Sequence, residues 1–148
     1  MRKVEERMAE KTITVKVKDP YLFCLDMLSA MEKYGDVIEK KNSIQTGGPR
    51  SKIDVAGYIK NKLDPRTDVF VKFSMTGDMV GNTGEILIDY FIDIISKFQT
   101  KSGIVSETFE EFYQKKLKPE LRKISRVHVR DLRKRIDADI KKLEKKYK

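Results

Sequence analysis

At 148 residues, 39% of them hydrophobic, and a formal net charge of +9, the chain suffices for one ordinary globular core and is short for two, so a single domain over 1–148 is expected. No apolar run approaches the roughly 18–20 residues that cross a bilayer, and the charged start MRKVEERMAEK has no apolar core of the signal-peptide kind, which points to a soluble cytoplasmic protein with no membrane partner. With Cys24 the only cysteine and His128 the only histidine, a disulfide framework and the usual zinc ligand sets are excluded, so neither a metal nor a cofactor is expected.

Residues 1–10 read as a flexible N-terminus. From Thr12 to Val17 apolar and polar residues alternate, with Ile13, Val15 and Val17 on one side, the period of a half-buried strand. Asp19 caps and Pro20 opens a helix over 20–34, carried by Leu22, Leu25, Leu28 and Met31 and stopped by Gly35. The period then returns to two through Asp36–Gln45, a Thr46-Gly47-Gly48-Pro49 turn, and Ile53, Val55, Gly57 and Ile59. After the Asp64–Thr67 turn, Val69, Val71, Phe73 and Met75 again take alternate positions.

Glu85–Phe98 fits two templates. As a helix it spaces Ile86, Tyr90, Ile94 and Phe98 by four. As a strand after a Gly81-Asn82 hairpin, it opposes Met75 to Ile88, Phe73 to Tyr90, Val71 to Ile92 and Val69 to Ile94, apolar against apolar throughout, and the strand is the better reading. Beyond Gly103, Thr108 and Glu111 have capping-box spacing ahead of Phe109, Phe112, Tyr113 and Leu117, and Pro119 either kinks that helix or begins another.

The last segment, 119–148, reads as one long basic helix. Residues 115–148 hold 15 Lys or Arg against five Asp or Glu, while the rest of the chain is close to neutral. Its apolar stripe runs Leu117, Leu121, Ile124, His128, Leu132, Ile136, Ile140, Leu143 and Tyr147, a period near 3.75 that drifts around the axis. At about 1.5 Å per residue the rod is about 43 Å long against a domain diameter of about 35 Å, so the helix is expected to span the domain, and if it overhangs, the stretch 130–148 meets a partner chain, nucleic acid or water. Arg122, Lys123, Arg126, Arg130, Arg133, Lys134 and Arg135 form a candidate nucleic-acid or anion-binding set, since clustered cations neutralise phosphates and release counterions. The competing reading is a solvated helix face.

Other candidates are plainer. Asp89 and Asp93 share one strand face and read as solvated carboxylates balanced by Lys72; Cys24 reads as core; His128 reads as packed and hydrogen-bonded to a neighbour. Gly77–Gly84 lacks the Lys-Ser/Thr of a phosphate-binding loop and reads as a turn. Thr46–Arg50 has the makings of an anion-binding loop, but an ordinary loop looks the same. Nothing pairs a nucleophile with a base, so a non-catalytic protein is expected.

The order strand, helix, four strands and long helix makes an α+β fold with an antiparallel sheet of about five strands under a C-terminal helix. Carried by Val69–Met75, the Gly81-Asn82 turn, Ile86–Ile94 and the helix from Pro119, it resembles the helix-grip arrangement of START-like (SRPBCC) ligand-binding proteins and of each half of the TATA-box-binding protein. The START-like resemblance implies an apolar ligand pocket between sheet and helix, to be lined here by Tyr58, Phe73, Tyr90, Ile124 and His128. The second resemblance does not carry over DNA reading, because the polar sheet face offers only Phe70, Leu87 and Phe91. Three functions therefore stand: a binding protein for a small apolar ligand, a nucleic-acid-associated protein, and a homo-oligomer joined through the overhanging helix.

Overall fold

The computed structural model describes residues 2–45, 50–80, 83–98, 115–116 and 118–148. Five strands, β1 (Arg2–Val17), β2 (Asp36–Gln45), β3 (Arg50–Asp64), β4 (Thr67–Val80) and β5 (Thr83–Phe98), form one antiparallel sheet in the order β1-β5-β4-β3-β2. Helix α1 (Pro20–Met31), extended by a 3-10 turn over Glu32–Tyr34, carries the chain from one edge of the sheet to the other. Helix α2 (Lys118–Lys146) packs on the same face.

The β4–β5 ladder has the expected register, with Met75 opposite Ile88, Phe73 opposite Tyr90, Val71 opposite Ile92 and Val69 opposite Ile94. All eight side chains point to the helices and are buried, which is why a slip of one residue, sending the whole set to solvent, is so strongly disfavoured. Asp19 caps α1 by accepting from the Leu22 amide at 3.1 Å, and Gly35 ends the turn that follows with φ +152°, a conformation open to glycine. A side chain at Gly35 would also collide with the Lys60 carbonyl. Gly81-Asn82, Thr46–Pro49 and the helix signals from Thr108 to Leu117 lie outside the described residues.

Three expectations are corrected. Residues 2–10, read as a flexible N-terminus, are the first half of β1 and pair with β5 from Arg2 opposite Phe98 onward. Alternation failed to announce them because two inward positions carry charge: Glu6 faces Lys118 and Arg122 of α2, and Lys11 faces Asp137. A bulge between Arg7 and Ala9 shifts the phase between them.

In α1 the buried face is Phe23, Cys24, Met27, Leu28 and Met31, and Leu22 and Leu25 are exposed. The helix is apolar on nearly every side, so periodicity did not select which side turns inward.

The third correction concerns α2, whose C-terminal half does not overhang. Leu132, Ile136, Ile140 and Leu143 are buried, and beyond them the Tyr147 carbonyl accepts from the Lys18 amide at 2.7 Å, closing the helix against the end of β1.

Candidate functional site

Of the five residues nominated for a pocket, Phe73 and Tyr90 stand side by side on adjacent strands, buried beneath the helices. The Tyr90 hydroxyl donates to Asp137 Oδ1 on α2 at 2.7 Å, and Lys11 Nζ, from the residue opposite Tyr90 on β1, donates to Asp137 Oδ2 at 2.8 Å. Burial and the hydrogen bond to Asp137 push the Tyr90 phenol well above its ordinary pKa, so it stays a neutral donor.

The same grouping occurs twice more. Tyr34 donates to Asp139, which also takes Lys33 Nζ at 3.3 Å; Tyr147 donates to Asp26 of α1, which takes Lys146 Nζ at 3.0 Å. The hydrogen bonds from Tyr147 and Lys146 hold the Asp26 carboxyl below the usual carboxylate range. Three tyrosine–carboxylate–lysine clamps thus fasten the C-terminal half of α2 to β1 and β5, to the turn after α1, and to α1 itself. Sequence reading passed over Asp26, Asp137 and Asp139. The available signal was that Asp137 and Asp139 interrupt an otherwise basic run beside the buried Ile136 and Ile140.

The other three nominated residues lie elsewhere. Tyr58 is one position out of phase with the buried Ile53, Val55, Gly57 and Ile59, so it sits on the outer face of the sheet, its ring 5.7 Å from that of Phe70. Ile124 is 54% exposed and Val127 is 53% exposed. The buried stripe of α2 runs instead through Leu121, Ser125, Val129 and Leu132, with the Ser125 hydroxyl satisfied by the Leu121 carbonyl at 2.5 Å. His128 is half-buried one turn beyond Ile124, and its Nε2, closed off from solvent, has no hydrogen-bond partner among the described residues.

Among the described residues the open space lies away from Phe73 and Tyr90. A groove of about 250 Å³ runs between the start of α2 and the β3–β4 turn, lined by Leu121, Ile124, Glu120, Pro65, Thr67 and Ser96. Thr67 Oγ1 and Ser96 Oγ are buried and bonded to each other at 2.8 Å, so the wall they form makes no unmet polar demand. A wider cleft of about 1100 Å³ at the other end of the sheet is lined by charges of both signs, among them Lys16, Lys52, Asp54 and Asp78. No group of three or more potential metal ligands occurs among the described residues, and burial pushes the Cys24 thiol up to about 12, far from thiolate chemistry at neutral pH.

Asp89 and Asp93 part company. Asp89 accepts from the Thr12 hydroxyl at 2.5 Å. Asp93 is 1% exposed although it lies on the face without helices: Arg7 Nε reaches one oxygen at 2.9 Å, Lys72 Nζ reaches the other at 2.9 Å, and the Arg7 guanidinium covers the neighbouring Phe91 ring at 4.3 Å. Burial raises the Asp93 pKa, but the hydrogen bonds and charges of Arg7 and Lys72 outweigh it, and the net shift is downward. A depressed folded-state pKa makes Asp93 stabilising above its unfolded value of about 3.9 and removes that stabilisation as pH falls through the folded value. Asp93→Asn is therefore expected to melt lower than the parent at pH 7, with the gap closing below about pH 4; thermal melts at a series of pH values with a constant gap would contradict this.

The seven nominated cations of α2 also divide. Arg122 pairs with Glu6 at 3.0 Å. Arg133 lies close enough to Tyr90, and Arg135 to Tyr34, to favour the phenolates electrostatically. Lys123, Arg126, Arg130 and Lys134 are exposed and make no ion pair among the described residues.

No protein-family model and no curated protein matches the chain. Among solved structures it is similar to a START superfamily protein from Mycobacterium smegmatis, at 10% identity and a TM-score of 0.25 over 93% of this chain and 99% of that one. It is also similar to a protein of unknown function from Staphylococcus aureus, at 11% identity and a TM-score of 0.23 over 90% and 96% of the two chains. A third is Ara h 8.0201, at 12% identity and a TM-score of 0.20 over 89% and 98%. By its own element order and sheet topology the chain has a helix-grip-like fold, an antiparallel sheet closed on one face by its last helix.

Proposed function

We propose that this is a non-catalytic binding protein that holds a small, mainly apolar ligand in the groove between the first half of α2 and the β3–β4 turn. The observation that carries the reading is the groove itself, where Ile124 stands exposed beside Leu121 over the bonded Thr67–Ser96 pair. An exposed large aliphatic side chain beside an open hollow loses water-contacting surface when a ligand arrives, at about 25 cal/mol per Å² of apolar area covered. Its volume, about 250 Å³, lies just under the usual range of about 300–1,000 Å³, which favours a ligand smaller than a drug-sized molecule. Phe73 and Tyr90 lie six residues along their strands from the Thr67–Ser96 pair and take no part in the groove.

The test is titration with the neutral fluorescent probe N-phenyl-1-naphthylamine. Saturable enhancement is expected for the parent protein and at least tenfold weaker binding for Ile124→Trp, which fills the groove from an exposed position and leaves the core intact. Enhancement that does not saturate, or that is unchanged by Ile124→Trp, would rule the groove out.

A further inference from the structure

The cations of α2 are sorted by where they point. Those on its flanks are tied to the rest of the protein: Lys118 and Arg122 to Glu6 of β1, and Lys146 to Asp26 of α1. Lys123, Arg130, Lys134, Lys141 and Lys145 follow one another at steps of seven, four, seven and four, so they lie along one line of the helix opposite its buried stripe. All five are exposed, and none makes an ion pair among the described residues. The line is about 33 Å long at about 1.5 Å per residue. It cannot bend, because the three tyrosine–carboxylate–lysine clamps and the buried Leu132, Ile136, Ile140 and Leu143 hold the helix to the sheet.

We infer that this crest is a docking surface for the phosphate backbone of a duplex nucleic acid, bound without regard to sequence. Charge complementarity and length carry the inference: a straight row of five exposed cations about 33 Å long, unpaired among the described residues, matches roughly one turn of a duplex, whose phosphates supply a continuous row of negative charge. Preorganisation adds to it, since a helix already fixed by the core loses little backbone freedom on binding. An anionic membrane fits less well. An interfacial helix inserts an apolar face between the headgroups, and the apolar face of α2 is already buried on the sheet. Besides these cations the crest presents Val127, which is 53% exposed and has no hydrogen-bonding group for a base edge, so the contacts position the duplex and do not specify its sequence.

The experiment is fluorescence anisotropy with a labelled 20-base-pair DNA duplex across a salt series. If all five cations engage, the logarithm of the binding constant should fall with the logarithm of salt concentration with a slope of about −4.5. The variant Lys123→Gln, Arg130→Gln, Lys134→Gln, Lys141→Gln should bind more than a hundredfold more weakly at about 50 mM salt and lose most of that slope. Its far-UV circular dichroism should match the parent, because all four positions are exposed. A control with the same change in net charge, Lys16→Gln, Lys52→Gln, Lys62→Gln, Lys97→Gln, alters exposed lysines of the sheet and should keep most of the affinity. The inference is overturned if the parent does not bind the duplex, if the crest variant binds as well as the parent, or if the control loses as much as the crest variant. Equal or tighter binding to vesicles of anionic phospholipid would overturn the assignment to nucleic acid.

Discussion

Tyr90→Ala is expected to destabilise the protein by about 3–5 kcal/mol, the largest effect of any single truncation considered for this core. The ring is fully buried between the sheet and α2, so removing it opens a cavity that neighbours such as Phe73, Ile88 and Ile92, each held by its own strand, cannot close. The loss has a polar part as well. Asp137 takes hydrogen bonds from both Tyr90 and Lys11, and without the phenol one carboxylate oxygen is left facing a void. Tyr90→Phe separates the two contributions: it keeps the packing and removes only the hydroxyl, with an expected cost of about 1.5–3 kcal/mol for a hydrogen bond to a charged group. Chemical denaturation of Tyr90→Phe, Asp137→Ala and the double variant should reveal a coupling energy of the same order. A Tyr90→Phe protein as stable as the parent, with no coupling, would mean that the clamp contributes nothing.

Gly57→Ala is expected to cost about 1–3 kcal/mol, from overpacking and not from loss of contacts. Gly57 lies in β3 opposite Glu39 of β2, next to the bulge between Glu39 and Lys41, and an added Cβ would sit 2.5 Å from the Ile38 carbonyl and 3.1 Å from Phe73 Cζ. The carbonyl belongs to a backbone already engaged in pairing, and the Phe73 ring is buried in the core, so neither moves freely. Because β2 is an edge strand, held by β3 alone, it is the element that should yield. Hydrogen exchange should accelerate in β2 while β4 and β5 keep their protection, and the melting temperature should fall by about 2–4 °C per kcal/mol. Adding Phe73→Leu should recover part of the loss if the ring carries the conflict; a Gly57→Ala protein that melts with the parent would show that β2 adjusts without strain.

Both positions show how much of the fold was legible. That Phe73 and Tyr90 share the inward face followed from the sequence, because the apolar residues of β4 and β5 keep one parity; a slip of two residues would also set apolar against apolar, and the expected Gly81-Asn82 turn is what singled out the observed register. The start of α1 at Pro20 and its end at Gly35 were equally legible, since a side-chain cap, a fixed proline φ and a glycine-only φ are local properties. The first half of β1 was not legible. Lys11 and Glu6 point inward there, against the usual alternation, and are tolerated only because Asp137, Lys118 and Arg122 wait above them.

The candidate site was read less well than the fold. Phe73 and Tyr90 lie buried beneath the helices, where Tyr90 is engaged by Asp137. Tyr58 has the opposite parity to the buried Ile53, Val55 and Ile59 of its own strand, and its ring lies beside Phe70. Ile124 is hydrophobic yet exposed, because a small residue, Ser125, takes the inward position.

For α2 the sequence determined the length of the helix, its excess of positive charge and the residues of its C-terminal core, because a near-3.6-residue apolar period is written into consecutive positions. Only the tertiary structure decided which of its charges are clamps and which are surface. Lys11 and Asp137 are 126 residues apart, and Tyr147 and Asp26 are 121 apart. Whether a charge is paired depends on what the folded chain brings within about 4 Å of it, and no local pattern records that distance.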